Sequence, residues 1–148
     1  MSDEILQRLA AVDLFEGLSP KVLKRIEEEG RVRTYSAGET VLEEGAQVEG
    51  WKSFSKEGVC FYVILEGGAD VFVHGQQVAT LSPGQYFGEA SLIDGKPRTA
   101  TITVGADGMR AFALTAWAFQ PILEANPTVA ITMLKVIVGR LRAAEARA

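Results

Sequence analysis

Apolar positions recur at two different periods along this chain. From Asp3 to Leu14 the residues Ile5, Leu6, Leu9 and Val12 fall at helical spacing. Ser19 followed by Pro20 reads as the N-cap and first position of a second helix that ends near Gly30. Beyond Gly30 the texture changes to short β-prone runs, RVRTY, TVLEE, CFYVILE, ADVFVH, QVATL, TATITV and MRAFAL. They are broken at Gly38, Gly45, Gly67, Gly68, Gly75, Gly84, Gly95, Gly105 and Gly108, a spacing that predicts a sandwich or barrel. In TATITV the residues Ala100, Ile102 and Val104 face one side and Thr99, Thr101 and Thr103 the other, as a strand with one buried face requires.

After Leu114 the period is helical again, first through TAWAFQPILEAN, where Pro121 kinks the helix or starts a new one, and then from Pro127 to the end. Along the last helix Ala130, Leu134, Ile137, Leu141 and Ala144 are spaced as a coiled-coil seam, and Ile131, Met133, Val136 and Val138 widen the apolar surface beyond one stripe. Two readings stand beside each other: contact with a partner helix, or ordinary burial against the domain, since the seam covers only about two heptads.

The chain has 148 residues, a size for one domain with one core. The division expected is N-terminal helices over 1–30, a β-roll over 31–114 and C-terminal helices over 115–148. A net charge of −4 with scattered Lys and Arg gives no clustered cations for direct nucleic-acid binding. The one cysteine, Cys60, has no intrachain disulfide partner, and the charged N-terminus lacks the apolar core of a secretory signal. No apolar run approaches the roughly 20 residues of a spanning helix, so a cytoplasmic protein without membrane insertion is expected.

The candidate chemistry lies in Phe87 to Ile102, FGEASLIDGKPRTATI. Glu89 to Leu92 read as one helical turn directly after a strand, whose unpaired amides favour an anion. Ala90 and Ser91 are small enough to let a ligand come close. Arg98 lies past the turn Asp94-Gly95-Lys96-Pro97, and a fold back there lets its planar guanidinium grip two phosphate oxygens. Glu89 beside a phosphate is repulsive unless it accepts hydrogen bonds from the same ligand, and a ribose hydroxyl is the obvious donor. Glu89, Arg98 and a monoanionic phosphate sum to −1, whereas a dianionic monoester costs more, so the site favours a cyclic phosphodiester.

FGEASLIDGKPRTATITV resembles the phosphate-binding cassette of cyclic-nucleotide-binding domains, the modules of catabolite activator proteins, cyclic-nucleotide-dependent kinases and cyclic-nucleotide-gated channels. LFEGLS, YSAGETVLEEGA, FYVILEGGADVFV and ATLSPGQYFGE follow the order of that family's elements, and FQPILEANPTVAITMLKVIVGRL is similar to its two C-terminal helices. The resemblance implies a mainly β fold, a jelly-roll-like β-roll (double-stranded β-helix) with N-terminal helices and two C-terminal helices, its cassette at 87–99. It implies that Glu89 binds the ribose 2′-hydroxyl and Arg98 the cyclic phosphate, with Phe87, Gly88, Ala90 and Ser91 completing the cradle and Thr99 near the purine. The ligand implied is cAMP, with cGMP as the alternative. The last helix is expected to close over the base through Leu134, Ile137, Val138 and Leu141.

Three departures from the family pattern stand out. Ala90 replaces the Leu or Ile that commonly follows the glutamate, GAQVEGWKSFSKEGV lengthens a connection, and no helix-turn-helix, kinase or channel segment follows the last helix. Competing readings accompany each assignment. Glu89 and Arg98 also suit a structural salt bridge, and His74, the sole histidine, reads as solvated surface that excludes a metal-dependent cupin site with its several His ligands. Trp51 and Phe54 suit a hairpin packing its own aromatics, or a docking patch. Arg140, Arg142 and Arg147 suit a solvated helix end, with one of them reaching a purine as the alternative. No nucleophile elbow, metal cluster or Walker loop is present, so no enzyme activity is expected. The reading is a regulatory or sensor module for a cyclic nucleotide; the alternatives are a ligandless domain dimerising through its last helix, and a regulatory piece of a larger channel, kinase or transcription factor.

Overall fold

The computed structural model describes residues 2–47 and 60–147. The lengthened connection with Trp51 and Phe54 lies outside the described residues. Helix α1 spans Ser2–Ala10, a 3-10 turn Asp13–Phe15 follows, and α2 spans Pro20–Glu29. The cap expected at Ser19 is formed: its hydroxyl accepts the Val22 amide, and Pro20 opens the helix.

Six strands follow: β1 (Arg31–Tyr35), β2 (Thr40–Leu42), β3 (Cys60–Val73), β4 (Gln76–Leu81), β5 (Tyr86–Phe87) and β6 (Thr101–Thr115), with α3 (Glu89–Asp94) between β5 and β6. They form one antiparallel sheet in the order β1-β6-β3-β4, with β2 also on β6 and β5 also on β3. This is the expected β-roll with helices at both ends.

The seven β-prone runs are not seven strands. CFYVILE and all of ADVFVH but His74 are one strand, β3, and TITV and MRAFAL are one strand, β6, with Thr99 and Ala100 left in the bend before it. Glycines that read as breaks are bulges inside a continuous ladder: Gly67 pairs with Met109 while Ala69 pairs with Val104, so β6 spends extra residues there. At the bulge Gly67 and Gly108 both have φ of +75°, and a Cβ on Gly67 would lie 2.0 Å from the Gly108 carbonyl oxygen. The same bulge resets the inside–outside alternation. Met109 and Ala111 face the barrel interior on one side of it, and Ile102 and Val104 face that interior on the other, with the opposite parity.

Two cores result. The interior of the roll holds Ile64, Ala69, Leu81, Phe87, Ile102 and Met109. The second core lies under the helices, where Phe61, Val63, Phe112 and Leu114 from β3 and β6 meet Leu9, Phe15, Ile26 and Phe119. Adjacent residues of β3, such as Val63 and Ile64, thus serve opposite cores.

Helix α4 spans Ala116–Ala125, capped by the Thr115 hydroxyl, and keeps Pro121 within it. The Asn126 side chain donates to the Ile122 carbonyl at 2.9 Å and ends it, and α5 (Pro127–Arg147) leaves at 110°. Among the described residues no single helix is long and apolar enough to cross a membrane. The face of α5 that meets the second core runs through Val129, Met133, Val136 and Ile137. The seam read from the sequence is therefore offset from the buried face, and Ile131, Leu134, Val138 and Leu141 form an exposed apolar stripe.

Candidate functional site

A cavity of about 480 Å³ opens between the roll, the cassette and α5. Leu42, Val71 and Leu81 supply an apolar wall from the strands. The residues Phe87, Gly88, Glu89, Ala90, Ser91, Arg98 and Thr99 all line it, and Ile137 and Leu141 line it from α5. Leu134 and Val138 do not. They stand 59% and 45% exposed, because each follows a cavity- or core-facing residue by one position and is rotated by about 100° around the helix.

The strand-to-helix passage is built for close approach. Gly88 caps α3 with φ of +88°, and a Cβ there would stand 3.1 Å from the Cys60 carbonyl oxygen and 3.3 Å from Arg98 Nη1. Its neighbour Glu89 is only 4% exposed, and Ser91 is as deeply buried. Ala90 N–H donates to Glu89 Oε2 at 3.2 Å.

Arg98 is fixed from both ends. Its backbone is tied to the turn after β2, with Gly45 N–H donating to the Arg98 carbonyl at 2.8 Å and Arg98 N–H donating to the Ala46 carbonyl at 3.0 Å. Its side chain donates from Nη1 to the Gly88 carbonyl at 3.1 Å and from Nη2 to the Cys60 carbonyl at 3.3 Å. Among the described residues no carboxylate lies within ion-pair distance of it. Burial pulls the guanidinium pKa below its ordinary value, a direction that signals a cation held away from water without a counter-ion in contact. It remains charged under all ordinary conditions.

Arg140 is one of the three arginines, with Arg142 and Arg147, read from the sequence as a solvated helix end or, for one of them, as reaching a purine. It points instead into the cavity mouth: Nη1 pairs with Glu89 Oε1, Nη2 donates to the Tyr86 carbonyl at 2.6 Å, and its Cζ lies 5.4 Å from the centre of the Tyr86 ring. Arg147 also lines the cavity. The structural salt bridge weighed for Glu89 thus exists, with Arg140 and not with Arg98. Helical spacing from Ile137 to Leu141 and Ala144 was the one available signal that Arg140 faces the barrel.

His74 lies in the exposed turn of the β3–β4 hairpin, and Glu44 accepts its amide at 2.8 Å and stands 3.2 Å from Nδ1. Among the described residues no group of three or more His, Cys, Asp or Glu gathers to hold a metal.

Residues 32–126 match the family model of the cyclic nucleotide-binding domain. A cyclic nucleotide-gated potassium channel of Mesorhizobium japonicum is 32% identical over 93% of this chain and 35% of its own length. Among solved structures, the catabolite activator protein of Thermus thermophilus superposes with a TM-score of 0.71 at 26% identity, over 90% of this chain and 60% of that one. The cAMP-bound regulatory domain of Toxoplasma gondii PKA superposes with a TM-score of 0.75 at 19% identity, over 91% and 49%, a likeness of fold. The chain spans about a third or less of the length of the curated relatives it matches.

Proposed function

Because this chain belongs to the cyclic nucleotide-binding domain family, we propose that its cavity binds a cyclic nucleotide, with the phosphate on Arg98 and the ribose 2′-hydroxyl on Glu89. The observation that carries the reading is Arg98, a half-buried guanidinium held on the Gly88 and Cys60 carbonyls with its charge uncompensated at contact distance among the described residues. Glu89, the cassette carboxylate that lines the cavity, is already paired with Arg140. Arg98 thus offers one uncompensated positive charge at the cassette end of the cavity, which the single negative charge of a cyclic phosphodiester matches.

The purine then lies toward Leu42, Val71 and Leu81 on one side and Ile137 and Leu141 on the other, with Thr99 at the wall. The ligand favoured is cAMP, and the Thr99 hydroxyl leaves cGMP as the second candidate. A nucleotide in this cavity touches the cassette and α5 together, so its binding energy differs with the placement of α5, and that difference drives a switch. The task of Glu89 is recognition and not catalysis, and the chain acts as a cytoplasmic sensor or as the regulatory piece of a channel, kinase or transcription factor. The exposed stripe of Ile131, Leu134, Val138 and Leu141 supports a second feature of that role, pairing of two copies through α5.

The test is a calorimetric titration with cAMP, cGMP and AMP. At least one cyclic nucleotide is expected to bind at least tenfold more tightly than AMP. AMP binding equally well refutes the cyclic phosphate, and no binding by any of the three refutes the site.

A further inference from the structure

The chain around Arg98 has little regular structure to hold it. From 97 to 100 the backbone belongs to no helix or strand, and among the described residues its hydrogen bonds are the two that Arg98 makes with Gly45 and Ala46. The turn 43–46 that receives them is irregular too, closed on itself by Ala46 N–H donating to the Glu43 carbonyl at 3.0 Å. Among the described residues, every hydrogen bond from that turn to the sheet and its β3–β4 hairpin comes from Glu44. Its N–H donates to Thr101 Oγ1 at 3.0 Å, and its Oε1 accepts the His74 N–H at 2.8 Å.

The hairpin is a firm anchor. Val73 pairs with Gln76, so the His74 amide lies outside the ladder, and the two turn residues His74 and Gly75 have φ of +52° and +79°. A two-residue turn with both central residues at positive φ matches the twist of its strands and fixes where that amide points. His74 is the only non-glycine with positive φ among the described residues. Its ring also stands 3.2 Å from Glu44 Oε2, but the ring is 88% exposed and that contact is weak. The attachment is the bond from the Glu44 carboxylate, 26% exposed, to the His74 amide.

We propose that Glu44 is a positioning residue for Arg98: its carboxylate holds the His74 amide, anchors the turn 43–46 on the β3–β4 hairpin, and through Gly45 and Ala46 sets where the Arg98 backbone stands. The inference rests on the functional reading above, because the phosphate is the group toward which Arg98 is positioned. Glu44 does not line the cavity, so it acts on a ligand through another residue. With the turn loosened, the Arg98 backbone shifts while its guanidinium stays tied to the Gly88 and Cys60 carbonyls, and the planar fork loses its aim at two phosphate oxygens.

The test is calorimetric titration of the full chain with cAMP. Glu44→Ala is expected to weaken binding about fivefold to tenfold, within the range of one net hydrogen bond. Glu44→Gln keeps the reach and the acceptor oxygen without the charge, and is expected to restore binding to within twofold. In an Arg98→Lys background a flexible point charge replaces the fork, and Glu44→Ala is expected to cost less than twofold. Gln as weak as Ala overturns the proposal, since charge and not the bond is then felt, and a full loss in the Lys background overturns it because the route is not Arg98. Amide exchange without nucleotide, read by NMR, is expected to quicken at least fivefold at Gly45 and Arg98 in Glu44→Ala, with β3 and β6 unchanged; unchanged exchange at those two amides also overturns it. A chain that binds no cyclic nucleotide refutes the functional reading, and the exchange comparison then decides by itself whether Glu44 holds the Arg98 backbone.

Discussion

Replacing Arg98 by Ala removes two guanidinium hydrogen bonds to backbone, at 3.1 Å to the Gly88 carbonyl and 3.3 Å to the Cys60 carbonyl, and the cassette cation that lines the cavity. A guanidinium fork on a phosphate makes two charge-assisted bonds of about 1.5–3 kcal/mol each, so about 3–6 kcal/mol before costs. Part of this is offset, because Arg98 gives up hydrogen bonds to the two carbonyls and the phosphate gives up water. A net loss of about 3–4 kcal/mol remains, or about 100- to 1,000-fold in Kd. Arg98→Lys keeps the charge and loses the planar fork, so its loss is smaller, about tenfold. The assay is calorimetric titration of cAMP at about 0.15 M ionic strength, where screening leaves contact interactions in place. A thermal melt accompanies it, because the variant leaves the Gly88 and Cys60 carbonyls to water and a Tm drop of only a few degrees is expected. If Arg98→Ala binds within threefold of the unmodified chain at unchanged Tm, the anion does not sit on Arg98 and the assignment of the cavity fails.

Three further predictions follow from named contacts. Glu89→Ala should weaken the ribonucleotide about tenfold or more and the 2′-deoxy analogue much less, measured in the same titration; equal losses remove Glu89 from the sugar. Gly67→Ala forces a side chain into φ of +75° with its Cβ 2.0 Å from the Gly108 carbonyl oxygen, and a loss of about 3 kcal/mol is expected, seen as a Tm lower by roughly 6–12 °C; an unchanged melt means the bulge yields freely. Tyr86 is 4% exposed and its hydroxyl has no hydrogen-bond partner among the described residues, so Tyr86→Phe should leave Tm unchanged or raise it by a few degrees, and a lower Tm shows that the hydroxyl is satisfied.

The sequence determined the local elements and the cassette. Ser19-Pro20 fixed the start of α2, RVRTY became β1 without adjustment, and a glutamate and an arginine nine residues apart around small residues marked the cavity wall. These are short-range facts, since caps, turns and alternation act over a few residues. Only the tertiary structure decided the rest. Gly67 and Gly108 read as strand ends, yet β3 and β6 stay paired on both sides of them, because a glycine bulge is set by the opposing strand and not by its own flanks. The helical period of α5 told which residues share a face, but not which face meets the barrel, so Leu134 and Val138 stand in solvent while Arg140, one position before Leu141, reaches Glu89 across 51 residues of chain. A pattern fixes relative angles along one helix; the absolute rotation against its neighbours is a property of packing, which no single element contains.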